Sequence, residues 1–355
     1  MNEDLSEFIE YIGNLHIHSS YSDGAGTVLE LAQAAGRIGL DFIILNDHDY
    51  ITDSLHLEEE GFYRGVLVLL GLEIGGRYHH YLAYDLKEMV RGESSTPQEV
   101  IDLVNARGGF GFLAHPFEKG MPFLEKSVAY TWNDLSVTGF TGICIWNYSS
   151  RWKERVKSAL HGLVLLLFKS QMLKGPSEKT LLFWDGLCRK RRVAAIGGSD
   201  AHGLGFRWRG IRMTPLSYDH LLNSINVHLL LYRPFSPNFE EAKDAVYAAL
   251  RKGRLFVAHD NLAPAKGFRF YFVSERGTRL TMGEEAPFRP GTLFVETPDE
   301  GKIRLFKNGE LIRQWNGHKA SFEVGEVGVY RVEVRRRLVL FGWRPWIFSN
   351  PIYLR

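Results

Sequence analysis

The stretch Leu15-His16-Ile17-His18-Ser19-Ser20-Tyr21-Ser22-Asp23-Gly24 reads as a short strand running into a tight polar loop. Side chains at i and i+2 of a strand leave from one face. The spacing therefore predicts that His16 and His18 converge while Leu15 and Ile17 point the other way. Two converging imidazoles suit a borderline divalent cation. They equally suit a pair of half-buried histidines satisfied by their neighbours. What decides between the two readings is that ligand-type residues recur at the ends of later apolar runs.

Downstream, Thr27-Val28-Leu29-Glu30 has the spacing of a capping box. The periodic Leu31, Ala34, Ala35 and Ile38 then predict a helix ending at Gly39. Asp41-Phe42-Ile43-Ile44-Leu45-Asn46 is a near-continuous apolar run of strand length, as in parallel sheets covered by helices. It delivers Asp47-His48-Asp49. Val66–Leu72 predicts a further strand leading into Glu73. Gly75-Gly76 then turns a hairpin back through His79-His80.

A second capping box, Thr96-Pro97-Gln98-Glu99, opens a helix that stops at Gly108-Gly109. The strand Phe110–Ala114 follows and delivers His115. Thr141–Trp146 ends in Asn147. Residues 151–192 read as a helical insertion broken at Gly175-Pro176-Ser177. Val193–Gly198 then leads into Ser199-Asp200-Ala201-His202. A helix over Phe239–Leu250 and a strand over Arg254–Ala258 close this α/β part.

Beyond about residue 261 the helical period vanishes. Short β-rich runs take over, with Asn308-Gly309 as a hairpin turn. The expected fold is an α/β barrel over 1–262, with the 151–192 insertion, followed by a small all-β sandwich over 263–355.

The net charge of +2, with both signs scattered, argues against a nucleic-acid footprint. Arg189-Lys190-Arg191-Arg192 reads as a helix C-terminus. Only Cys144 and Cys188 are present, which fits a reducing compartment. The N-terminus lacks a signal-peptide pattern and no apolar run is long enough to span a bilayer. The expectation is a cytoplasmic protein with a small-molecule substrate and no membrane partner. Its oligomeric state is left open.

The strand ends carry His16, His18, Asp23, His48, Glu73, His80, His115, Asp200 and His202. In a barrel of parallel strands the C-terminal strand ends meet on one rim. Buried carboxylates are costly unpaired, and a metal cluster satisfies the whole set together. The mixed nitrogen and oxygen donors suit zinc, manganese or iron. His79 is expected at the surface of the hairpin, since neighbours on a strand face opposite sides. His56, His161, His220, His228, His259 and His318 read as ordinary. Asp47 and Asp49 are candidate orienters of His48, and Cys144 reads as a core thiol.

These residues resemble the PHP (polymerase and histidinol phosphatase) superfamily of metal-dependent phosphoesterases over about residues 10–260. The resemblance lies in His16-x-His18 with Asp23, in Asn46-Asp47-His48-Asp49, in Gly71-Leu72-Glu73 and in His80 before Tyr81-Leu82-Ala83. Ala114-His115-Pro116 and Gly198-Ser199-Asp200-Ala201-His202 complete it. It implies a distorted seven-stranded TIM-like β/α barrel holding two or three divalent metals, a trinuclear site at most. By the family pattern, His16, His18, Glu73 and Asp200 would hold the first metal. Glu73 would bridge to a second held by His80 and His115. Asp23, His48 and His202 would hold the third.

Asn46 stands where threonine is commoner. Cys144 stands in Ile143-Cys144-Ile145-Trp146-Asn147 where relatives often carry glutamate. The ending Trp346–Tyr353 resembles the tail of a subgroup that includes carbamate hydrolases and carries a β-sandwich. As an unaided reading it is an edge strand blunted by Pro351.

The expected reaction is hydrolysis of a small phosphate ester by water activated at the metals. His48 or His202 would serve as proton donor, and Lys119, Arg207 and Arg209 as phosphate clamps. Two alternatives stand beside it. One is carbamate or carboxyl-ester hydrolysis at the same cluster, with Tyr50, Trp132, Trp146, Tyr148, Trp152 and Trp208 lining a pocket. The other is a non-catalytic, metal-stabilised binding protein.

Overall fold

A computed structural model describes residues 8–76, 78–92, 94–123, 130–203, 205–208 and 211–355, apart from the side chains of 206–208 and 211–213. Seven strands position the ligand-type residues: β1 (Ile9–Ile17), β2 (Phe42–His48), β3 (Val66–Ile74), β4 (Tyr81–Tyr84), β5 (Phe110–Leu113), β6 (Gly142–Asn147) and β7 (Ala194–Gly198). Each pairs with the next in that order, antiparallel on both sides of β4 and parallel elsewhere. The circuit returns to its start through a parallel bridge between Ile17 and Ala201. Ser199 N and Ala201 N donate to Leu15 O and His16 O, both at 3.2 Å, and His18 N donates to Ala201 O at 2.9 Å.

Every residue of β2 and of β3 is buried, so both of their faces are covered. That is why their sequences run apolar without alternation. The helix Val28–Ile38 is capped by Thr27 and Glu30, and closes on Gly39 at φ 81°. Only glycine adopts that conformation without cost. Pro97–Ala106 is capped in the same way by Thr96 and Glu99.

Between β6 and β7 lie three helices, Tyr148–Lys153, Ala159–Leu167 and Glu178–Cys188. The last is fastened to the C-terminal strands by Arg331, whose Nε and Nη2 donate to the two Asp185 oxygens at 2.6 and 2.7 Å. This buried bidentate pair holds the helix in one orientation.

The N-terminal half of β1 turns to a different neighbour. It pairs antiparallel with Ile225–Leu231, a strand the sequence reading passed over. From there the sheet continues through Leu255–His259 to Gly342–Ser349, and so into the β-rich C-terminal part without a break. Alternate residues of these linking strands serve two cores. Val227, Leu229, Leu255 and Val257 join the first, and Leu230, Phe256 and Ala258 join the second with Phe268, Trp346 and Ile347.

The tail is therefore no exposed edge, contrary to the unaided reading. Residues 346–354 are all buried. The Asn350 side chain accepts from Ala195 N at 2.7 Å and donates to Leu255 O at 3.1 Å. The Asn308-Gly309 turn forms as expected, with φ of 54° and 90° between the paired Lys307 and Glu310. Among the described residues no helix is long and apolar enough to cross a membrane.

Candidate metal centre

All nine ligand-type residues reach one end of the strand circuit. His48 ends β2, and Glu73 is next to last on β3. β4 runs the opposite way, so its leading residue His80 arrives at this same end. His115 follows β5, Asp200 and His202 follow β7, and β1 supplies His16, His18 and the Asp23 loop.

Glu73 is the hub. Its Oε2 lies 3.0 Å from His16 Nε2, 3.3 Å from His18 Nε2 and 3.5 Å from His48 Nδ1. Its Oε1 lies 2.8 Å from His80 Nδ1 and 3.1 Å from His115 Nε2. Asp200 Oδ1 stands 3.6 Å from His16 and 3.4 Å from His18. Asp23 meets His202 at 3.2 Å, His18 at 3.5 Å and His48 at 3.7 Å.

Three sets of donor atoms lie within 4.8 Å of one another: His16, His18, Glu73 and Asp200; His18, Asp23, His48 and His202; and His48, Glu73 and His80. His115 touches Glu73 but stands outside the third set, where His48 takes the place expected for it.

The donor chemistry fits divalent cations. His16, His18, Glu73 and His80 are at most 3% exposed. Yet both ring nitrogens of His16, His18 and His80 lack an aligned hydrogen bond. Several nitrogens crowd each carboxylate, five imidazoles around Glu73 alone, so they converge on shared points beyond what one-to-one pairs would need. Burying an uncompensated ion costs several kcal/mol even after relaxation, and this mixed imidazole and carboxylate set is one a transition metal satisfies. Burial alone would push the Glu73 and Asp200 carboxyls up. The surrounding imidazoles outweigh it and hold both well below the usual carboxylate range.

The backbone is bent to make this convergence. His16, His115 and Asp200 have φ of 68°, 29° and 54°, a left-handed region that costs a non-glycine residue about 1–3 kcal/mol. His16 sits at a register shift between Leu15 and Ile17. The two histidines thus meet, rings 5.2 Å apart, through a bulge and not through simple strand alternation. Gly198 is required where β7 crosses β1, since a Cβ there would collide with Leu15 O and His16 Cβ.

Several surrounding residues differ from expectation. His79 is buried at 4% exposure, not at the surface, with its ring set edgewise to Trp132 at 5.7 Å between centroids. Asp47 accepts from Ser19 N and Oγ at 2.8 and 2.7 Å. Asp49 accepts from Gly75 N at 3.0 Å and Gly92 N at 2.7 Å. Both carboxylates fasten loops; neither orients the His48 ring. Cys144 is a core thiol, and burial pushes it up to about 12.

Lys119 stands exposed, whereas Lys153 pairs with buried Glu118. Arg209 lies outside the described residues, and Arg207 is described only as part of the strand Phe206–Trp208. Tyr50 stacks on His48 at 4.9 Å, and Trp132, Trp146 and Tyr148 are packed into the core.

Two supporting residues escaped the sequence reading. Glu118 Oε2 lies 3.1 Å from His115 Nδ1; its spacing of three after His115 was the available signal. Tyr218 Oη donates to His18 O at 2.9 Å and His202 O at 2.8 Å, and accepts from Ala25 N at 2.9 Å. Nothing in the sequence around Tyr218 marked it.

Residues 14–136 match the family model of the PHP domain, which bears out the resemblance read from the sequence at the level of that domain. Among solved structures, the chain is similar to a two-domain protein containing a predicted PHP-like metal-dependent phosphoesterase from Bacteroides vulgatus ATCC 8482. Identity is 17%, coverage is 98% of this chain and 97% of that one, and the TM-score is 0.49. It is also similar to PsfC from Pseudomonas syringae PB-5123, at 13% identity, 65% and 87% coverage and a TM-score of 0.39. No curated protein matches the chain.

Proposed function

We propose that the chain is a metal-dependent phosphoesterase that hydrolyses a small phosphate ester at this cluster, in the reducing interior of the cell. The observation that carries the reading is the convergence of eight imidazole and carboxylate side chains into three overlapping sets, with His115 against Glu73 as a ninth, while the ring nitrogens of His16, His18 and His80 lack an aligned hydrogen bond. The PHP domain match over 14–136 supports it. The two free, buried cysteines support the compartment. We read the strand circuit as the distorted seven-stranded barrel. The chain from 263 onward is then a β-sandwich domain built against it, sharing the sheet.

His16, His18, Glu73 and Asp200 would hold one divalent metal, and His18, Asp23, His48 and His202 a neighbouring one. Glu73, His80 and His115 would hold a third. When bound, such ions lower the pKa of water and neutralise charge developing on phosphoryl oxygens. The protein's own part is to hold the ligands apart from competing partners and to place a proton donor.

Of the two candidates, His202 suits that role better than His48, and it would take it only with its Nε2 free of the neighbouring metal. Its side chain is 21% exposed against 7%, so it is the more accessible to an ester from solvent. Asp200 O lies 3.1 Å from its Nδ1, which directs Nε2 outward toward Asp23. Arg207 and Arg209, on the chain just after His202, are the side chains assigned to the phosphate.

The test is turnover by the metal-loaded protein of p-nitrophenyl phosphate, bis-p-nitrophenyl phosphate and 1-naphthyl methylcarbamate. Phosphoester cleavage is expected. Carbamate cleavage without phosphoester cleavage would overturn the assignment in favour of an esterase.

A further inference from the structure

At the other end of the strands lies a cavity of about 350 Å³ that the cluster does not use. It opens where β6 and β7 begin. Ala194, the first residue of β7, is on its wall, and Asp200 of the cluster is six residues further on. At about 3.3 Å per residue the two places are roughly 20 Å apart.

Four cationic side chains, Arg191, Arg192, Arg251 and Lys252, line this cavity, and among the described residues no carboxylate does. Arg251 is engaged by Asp85 at 3.0 Å, which leaves Arg191, Arg192 and Lys252 without an ion pair among the described residues. The Arg191 guanidinium lies 4.5 Å over the Phe140 ring and spends Nη1 on Arg192 O at 3.2 Å. Its Nη2 is buried and has no partner. A buried guanidinium donor left unpaired is costly, and turning Nη2 from this buried position to the cavity would give it an anion as partner.

The floor is already rigid. Asn350 is held by Ala195 and Leu255, and Tyr353 Oη accepts from Val193 N at 3.1 Å. Helix dipoles explain Arg251 and Lys252, which sit in the last turn of Phe239–Lys252. They do not explain Arg191, which comes from the turn after a different helix and reaches the same cavity.

We infer that this cavity is a second anion site, which binds a small phosphate-bearing molecule independently of the metal cluster. Guanidinium groups pair with phosphate oxygens through parallel N–H donors. A volume of 350 Å³ falls in the range of small-molecule pockets, about 300–1,000 Å³. It leaves room for an organic group beside the phosphate. The site joins the starts of two circuit strands to the C-terminal tail, so an occupant would also brace that seam.

The test is calorimetric titration of the full chain with inorganic phosphate and with phenylphosphonate, which has no ester bond to cleave. Ionic strength is held constant with chloride, and titrations are run before and after chelation of metals. Binding is expected to survive chelation and to survive His115→Ala. It should weaken at least tenfold in Arg191→Gln, and likewise in the exposed pair Arg192→Gln/Lys252→Gln, which tests the site even if Arg191→Gln fails to fold. Tighter binding of phenylphosphonate identifies an organic phosphate as the occupant, and equal binding identifies the free ion; either supports the site. Loss of all phosphate binding on chelation, or binding unchanged by the paired substitution, would overturn it.

Discussion

His115 and Glu118 form a relay behind the cluster. The ring presents Nε2 to Glu73 at 3.1 Å and Nδ1 to Glu118 at 3.1 Å, and Lys153 pairs with the far oxygen of Glu118. A carboxylate behind an imidazole fixes its tautomer and raises its basicity toward a metal, and loss of such a partner typically costs 10–100-fold in affinity or activity. Glu118→Gln keeps the volume and removes the charge. Metal affinity, measured by competition with a chelator, should fall by about 10–100-fold while the circular dichroism spectrum is unchanged. Unaltered affinity would remove Glu118 from the account.

Asp23 is the exposed corner of its set, with a side chain 43% accessible, and it faces His18, His48 and His202. His18 and His48 also face Glu73, so Asp23 is the ligand whose loss disturbs the other sets least. Asp23→Asn should lower the metal content by one ion per chain, read by elemental analysis. The ion set among His16, Glu73 and Asp200 should stay. Simultaneous loss of all metal would contradict the division into sets.

Much of this site was legible because strand ends concentrate polar residues in an otherwise apolar chain. His48 after Phe42–Leu45, Glu73 after Val66–Leu72 and His115 after Phe110–Ala114 stand out for that reason. Hidden from the sequence were features that depend on three-dimensional meetings. Left-handed backbone at His16, His115 and Asp200 leaves no mark on residue type, as glycine would. Ile225–Leu231 was missed because Asn226 and His228 interrupt its apolar run. Both are buried there, Asn226 against Asn14 and Asp260, and His228 between two carboxylates. Tyr218 acts through backbone carbonyls 16 and 200 residues away, a relation no local pattern encodes.

His228 gives the fold a pH dependence of its own. The sequence reading classed it as ordinary, yet it lies 2.7 Å from Glu10 and 3.0 Å from Asp260 where β1 meets the C-terminal strands. Burial opposes its charged form, but Asp260 and Glu10 outweigh burial and raise it from 6.5 to about 9. A raised folded-state pKa contributes stability that is complete below the unfolded value near 6.5 and is lost as pH rises through about 9. At 1.36 kcal/mol per pH unit, the gap corresponds to about 3 kcal/mol. Urea unfolding at pH 6 and pH 9.5 should show a loss of that order, and His228→Gln should flatten it. An unchanged pH profile in the variant would count against the imidazolium.

Tyr218 ties the His18 and His202 loops together through one hydroxyl. Tyr218→Phe removes the donor to His18 O, while Ala25 N and His202 O keep the bond they make to each other at 2.8 Å; an unsatisfied buried group costs about 1–3 kcal/mol. Thermal unfolding should show that loss. Metal should leave the Asp23 and His202 set at lower chelator concentration than in the parent protein. Equal chelator sensitivity would make the tyrosine a purely structural tie.

The central claim is that the strand ends gather a catalytic metal cluster around Glu73. Elemental analysis of unchelated protein tests it most directly, run on the parent chain and on Glu73→Gln with p-nitrophenyl phosphate turnover measured on the same samples. The account predicts two or three divalent ions per chain with turnover in the parent, and loss of both in the variant. Less than one ion per chain in the parent, with no turnover after manganese or zinc is supplied, would contradict it.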